Sequence, residues 1–107
     1  MNADDSPPIV DQLNESRTLS LSSLGDSVTM TLMDGDQTIV KLGRADRHEL
    51  RSVFVAGATI VPFVEGAVVG FRMQSDGDTV RFSKDAGVLA VFDASEVRAA
   101  IFPEDSY

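Results

Sequence analysis

The sequence predicts an α+β domain with antiparallel β-sheet and two short helices, and three observations carry that prediction. Apolar and polar residues alternate through the first third of the chain. Glycine–aspartate pairs punctuate the alternation. Two separate stretches open on an aspartate suited to cap a helix and continue with apolar residues at helical spacing. A length of 107 residues fits one domain. The apolar content of 43% suits a packed core and is too high for a chain disordered throughout.

The opening segment, MNADDSPPIVDQLNES (1–16), holds Asp4, Asp5, Asp11 and Glu15 with no base, and places Pro7 beside Pro8. It predicts an acidic disordered arm. From Arg17 the pattern changes. Leu19 and Leu21 alternate with polar neighbours, then Val28, Met30 and Leu32 alternate with Thr29 and Thr31. A period of two marks half-buried strands, with Gly25-Asp26 as the turn between them. QTIVKL (37–42) predicts a third strand after the turn Asp34-Gly35-Asp36.

That acidic turn returns as Asp76-Gly77-Asp78. Asp-Gly favours a two-residue hairpin loop because both central positions prefer positive φ. Paired acids around a glycine also raise calcium. A calcium loop, however, needs several spaced oxygen ligands and a closing bidentate glutamate, which neither turn supplies. Neither a metal nor a cofactor is expected.

Each predicted helix begins with a capping box. Asp46 is followed three residues later by Glu49, and Leu50, Val53 and Phe54 fall on one face. Asp93 and Glu96 repeat the cap, and Val97, Ala100 and Ile101 repeat the face. Arg51 and Arg98 hold matching places. Asp46 and Asp93 are 47 residues apart, and the two Asp-Gly-Asp turns are 42 apart. The residues 17–102 are therefore expected to form one domain of two pseudo-repeated units, each a meander of strands closed by a helix, followed by an acidic tail at 103–107.

Val53–Phe71, VFVAGATIVPFVEGAVVGF, carries one charge, Glu65, and is long enough to span a bilayer as a helix. Three glycines and Pro62 break it, so two buried strands around a turn are expected and no membrane span. One short helix per unit leaves apolar surface uncovered. This predicts a homodimer, with Ile60, Phe63, Val68 and Phe71 as candidate interface residues.

The absence of cysteine excludes disulfides, thiolate metal sites and a cysteine nucleophile, and favours the cytoplasm. The acidic start lacks the basic and apolar stretches of a secretory leader. His48 is the only histidine, sits off the apolar stripe of its helix, and is expected on the surface. No nucleophile elbow, phosphate loop or dinucleotide fingerprint occurs, so no catalytic residue is assigned and no enzyme is expected.

Net charge is −8, but the body 17–102 holds 11 acids against 9 bases, so the acidity is concentrated at the ends. Such ends suit solubility or steering toward a basic partner. Seven of the nine bases are arginine, the better residue for ordered recognition of carboxylates. Arg44, Arg47, Arg51, Arg72, Arg81 and Lys84 are the candidate partner-binding residues. Pairing with neighbouring acids is the plainer role for them. The sharper one is nucleic acid: paired strand-and-helix units resemble the PC4-like and Pur-type single-strand binders. Those combine a basic groove with stacking aromatics, whereas this chain has no tryptophan and its single tyrosine is Tyr107.

A second resemblance lies in VRFSKDAGVLAVFDASEVRAAIF, residues 80–102. Val80-Arg81, Ser83-Lys84-Asp85, Gly87, Leu89, Phe92 and Glu96 are similar to the closing segment of a family of small actinobacterial domains of unknown function. Members are found beside helix-turn-helix regulators and include the bald-B-type developmental proteins. Val97 stands where that family usually has tryptophan. The resemblance implies a non-enzymatic, cytoplasmic developmental regulator of sporulation, acting by protein–protein contact with a DNA-binding transcription regulator. Direct single-strand nucleic-acid binding is the alternative.

Overall fold

A computed structural model describes residues 9–66, 70–84 and 87–102. The order is β1 (Ile9–Asp11), β2 (Asn14–Leu24), β3 (Ser27–Asp34), β4 (Gln37–Asp46), α1 (Arg47–Ala56), β5 (Arg72–Asp76), β6 (Thr79–Lys84), β7 (Gly87–Asp93) and α2 (Ala94–Ile101). The fold is α+β, as the sequence predicts. All strand pairs are antiparallel, in one sheet ordered β1-β2-β3-β4 and a second ordered β5-β6-β7.

The period of two explains the sheets. Leu19 and Leu21 of β2, Val28, Met30 and Leu32 of β3, and Val80 and Phe82 of β6 all point into one core, while their neighbours face outward. Leu50 and Val53 of α1 and Val97 and Ile101 of α2 enter the same core. Edge-to-face ring pairs, Phe82 on Phe92 and Phe54 on Phe102, join the sheet to itself and the first helix to the end of the second.

The first hairpin loop is the expected Gly25-Asp26, while the two Asp-Gly-Asp loops are framed one residue later than Asp-Gly. Leu24 pairs with Ser27, Asp34 with Gln37 and Asp76 with Thr79. The two loop residues are therefore Gly25-Asp26, Gly35-Asp36 and Gly77-Asp78. Glycine comes first at φ 62°, 61° and 64°, where a β-carbon is disfavoured.

The matching of the two halves also shifts. The Arg47 N–H donates to the Asp26 carbonyl at 2.7 Å, and the Ala94 N–H donates to the Asp78 carbonyl at 2.8 Å. Gly25-Asp26 thus does for α1 what Gly77-Asp78 does for α2, and GDSV (25–28) matches GDTV (77–80). The sequence pairing of Asp34-Gly35-Asp36 with Asp76-Gly77-Asp78 is off by one hairpin. The likeness seen is limited to this turn and its bond to the helix, and the expected pseudo-repeat of two whole units is not confirmed. The sheets themselves differ, with four strands against three.

Part of the segment expected as a disordered arm, 1–16, is ordered in strands. Ile9–Asp11 form β1, Asn14 opens β2, and residues 1–8 and 103–107 lie outside the described residues. Asp11 is fully buried. Its Oδ1 accepts from the Leu13 N–H at 2.9 Å and from the Val91 N–H of β7 at 3.1 Å, and its Oδ2 lies 2.9 Å from Arg17 Nη2. The Gln12 N–H donates to the Val91 carbonyl at 2.7 Å, and Arg17 reaches the Leu89 carbonyl at 3.3 Å. One carboxylate thus fastens β1 and β2 to β7 and closes one seam between the sheets.

The other seam is made by the connector 57–71. Among the described residues of this connector, 57–66 and 70–71, the expected pair of buried strands does not form. Helix α1 runs to Ala56 and ends on Gly57 in the left-handed conformation, and two isolated bridges follow among the described residues, Ile60 with Met73 and Phe63 with Arg44. No helix among the described residues is long and apolar enough to cross a membrane.

Both predicted caps form, though only one is a full box. Asp46 accepts from the Glu49 N–H at 2.8 Å while the Glu49 carboxylate receives the Asp46 N–H at 3.4 Å. At α2, the Asp93 carboxylate accepts from the Glu96 N–H at 3.0 Å and from the Ser95 hydroxyl. Chiefly the Ser95 hydroxyl, and then the Glu96 N–H, hold the Asp93 carboxyl below its ordinary value of 3.8. A lowered folded value means this stabilisation is complete above the unfolded value and is lost as pH falls through the folded one. Asp93→Ala is expected to cost about 1 kcal/mol at pH 7, and the gap to wild type should narrow in acid. Asp93→Asn should keep most of the stability without that pH dependence. Urea titration of the three proteins across pH 2.5–7 checks both points.

Candidate functional site

The site is built where the connector crosses β4. Met30 pairs with Gly43 but Thr31 pairs with Lys41, so Leu42 is an extra residue and the strand bulges there. Leu42 drops into the core. Gly43, at φ 124°, leaves the bulge open to a close neighbour: a β-carbon on it would stand 2.7 Å from the Pro62 β-carbon. Gly70 clears the other side, since a β-carbon there would stand 2.8 Å from Val61. Two glycines therefore let Val61-Pro62-Phe63 lie flat on the sheet.

Pro62 is buried in this crossing, and the residues on either side are turned outward. Val61 is 56% exposed and Phe63 58%. Phe63 is nonetheless fixed. Its N–H donates to the Arg44 carbonyl and its carbonyl accepts from the Arg44 N–H, both at 2.8 Å. The Arg44 guanidinium sits over the ring, 5.5 Å from its centre, a contact of about 0.5–1 kcal/mol at an exposed site. An open cavity of about 380 Å³ lies beside them, lined by Thr29, Lys41, Arg44, Phe63, Val64 and Glu65.

The six cations singled out by sequence are not gathered on one face. Arg44 alone lines the open cavity. Arg81 of β6 pairs with Asp76 at 2.6 Å, Arg51 of α1 covers the Phe102 ring at 4.3 Å, and Lys84 lies 5.3 Å from the Phe71 ring centre. Arg47 begins α1, half-buried, and Arg72 is exposed on β5. Lys41, which sequence reasoning passed over, joins Arg44 in the cavity. Its signal was its outward place in QTIVKL, visible only once the bulge sets the alternation. Neither Lys41 nor Arg44 has an acidic partner among the described residues.

The four expected interface residues also separate. Ile60 and Phe71 are half-buried against the chain's own core, Phe63 is exposed, and Val68 lies outside the described residues. His48 is exposed on the first turn of α1, as expected. Among the described residues no group of three or more His, Asp or Glu side chains is arranged to hold a metal. A second cavity of about 360 Å³ opens at the start of α2, between Phe54, Ser75, Asp78, Asp93, Ser95 and Arg98. Its Asp93 carboxylate is committed to the cap.

No protein-family model, curated protein or solved structure matches this chain.

Proposed function

We propose that this chain is a non-catalytic interaction protein that works by binding another protein. The supporting observation is the exposed Phe63, anchored by two backbone hydrogen bonds beside Lys41 and Arg44, which have no acidic partner among the described residues. A rigid aromatic ring with an arginine at its edge is the kind of anchor that concentrates binding energy at protein interfaces. Holding it in place before contact removes part of the ordering cost of association. The resemblance of residues 80–102 supplies the partner class: a helix-turn-helix transcription regulator, in a developmental or sporulation setting in the cytoplasm. The acidic ends steer the chain toward the basic surface such a regulator presents to DNA. The expected homodimer, if formed, would rest on Val61 and Phe63, because Ile60 and Phe71 are already used in the core.

Affinity capture from the native cell with the full chain tests this reading. Wild type is expected to retain a DNA-binding regulator, and Phe63→Ala or Arg44→Glu to lose it while remaining folded. Capture of the same proteins by wild type and both variants would contradict it.

Single-strand nucleic-acid binding is the second reading, favoured by one observation: Thr29, Lys41, Arg44 and Phe63 bring a hydroxyl, two cations and a ring into one groove. It predicts oligonucleotide affinity that falls steeply with salt and collapses in Arg44→Glu.

A further inference from the structure

The outer edge of β4 gives the partner's chemistry a definite form. β4 pairs with β3 along one side. On the other side its backbone partner among the described residues is Phe63, joined at Arg44. From Gln37 to Leu42, then, the N–H and C=O groups that point away from β3 have no protein partner among the described residues. A row of bare backbone groups is a template for another strand. The cavity of Lys41, Arg44 and Phe63 lies at the end of this row.

We infer that the Gln37–Leu42 edge takes up an extended segment of the partner protein as an added strand. A carboxylate of that segment faces Lys41 and Arg44, and an apolar side chain rests on Phe63. The inference rests on the protein-binding reading above and specifies it.

Three features select an acidic peptide. The N–H and C=O groups of β4 without a partner among the described residues lie on both sides of a bulge at Ile39 and suit another peptide backbone, whereas a phosphodiester chain offers acceptors alone. The cavity holds two cations, Lys41 and Arg44, beside one carboxylate, Glu65, a balance that suits a single carboxylate of a peptide and not a polyanion. Two copies pairing edge to edge would crowd the cations of both onto one strip, and like charges placed opposite each other destabilise a strand pair. A lysine on an edge strand often serves only to repel other strands. That role does not account for an exposed phenyl ring fixed beside it.

The test titrates the 15N-labelled full chain with three probes. One is an acetylated, amidated hexapeptide of alternating valine and glutamate, the second its valine–glutamine counterpart, and the third a single-stranded oligothymidylate. The valine–glutamate peptide is expected to give saturable shifts over 37–44 and 61–65. It should also slow hydrogen exchange of the outward amides of 37–42 by about tenfold or more. Arg44→Glu and Phe63→Ala should each weaken it about tenfold, and the glutamine peptide should bind more weakly.

Unchanged exchange at 37–42 with the peptide would overturn the inference. So would saturation by the oligonucleotide alone, or protection of 37–42 that appears on concentrating the protein without peptide, which would assign the edge to a second copy. If the cell yields a captured partner that leaves exchange at 37–42 unchanged, the protein-binding reading stands and strand addition fails. If no partner is captured, the reading itself fails.

Discussion

Asp11→Ala is expected to lower the free energy of unfolding by about 3–5 kcal/mol, because it strands the charge of Arg17 and two backbone N–H groups at a seam of the fold. Domains of this size hold only about 5–15 kcal/mol in total, so the loss is a large fraction of the stability. The fall in melting temperature should be on the order of 15 °C or more. Arg17→Met alone should be similarly harmful, since it leaves the Asp11 carboxylate buried without its cation. Asp11→Leu combined with Arg17→Met should recover only the part due to the stranded charge, because the Leu13 and Val91 N–H groups still lose their acceptor. Urea titration of the four proteins measures the coupling. A loss under 1 kcal/mol for Asp11→Ala would mean the carboxylate does not close the seam. Deletions that reach into residues 9–13 should be as damaging, against the expectation of a dispensable arm extending to residue 16.

Gly43→Ala should be the second large loss, about 2–6 kcal/mol. Two penalties combine at this position. A φ of 124° lies outside the range that L side chains adopt, which costs about 1–3 kcal/mol. The new β-carbon also meets the Pro62 β-carbon at 2.7 Å and the Phe63 carbonyl at 3.0 Å, and overpacking of this kind costs about 1–3 kcal/mol more. Gly25→Ala is the control. Its φ is 62° and nothing lies within 4 Å of the added carbon, so only the left-handed backbone term of about 1–2 kcal/mol applies. The variants should also differ in function. Gly43→Ala pushes Pro62 and Phe63 off the sheet and should weaken partner binding, whereas Gly25→Ala should leave it unchanged. Equal losses in the two variants would show that the connector does not lie tightly on β4.

These two positions also mark where the sequence was legible. The helices could be read because their signals are local: Asp46 with Glu49, Asp93 with Glu96, and apolar faces at helical spacing. The strands β2 and β3 could be read because each buries every second residue through its core-facing stretch. Asp11 could not. It occupies the core-facing place of its strand, and only Arg17 and the Val91 N–H, 80 positions away, make that tolerable. The connector misled for a related reason. GATIVPFVEG is apolar enough for two buried strands, yet a single crossing over Gly43 and Gly70 uses Pro62 as the buried contact and turns Val61 and Phe63 to the surface.

The candidate site was half legible. Arg44 and Phe63 stood out as an arginine and an aromatic residue but were assigned to different surfaces, because nothing in the spacing of 44 and 63 announces a two-bond bridge. Lys41 was hidden by the bulge at Leu42. The other cations were overvalued. Sequence shows their charge but not the ring or carboxylate that already occupies Arg51, Arg81 and Lys84.

The central claim is that Phe63 is displayed for binding and not for folding, and calorimetric titration of the captured partner into wild type and Phe63→Ala tests it most directly. A ring this exposed contributes little to the core. The variant should therefore melt within a few degrees of wild type and bind about tenfold or more weakly. Equal affinity in the two proteins, or a collapse of the fold in the variant, would contradict the claim.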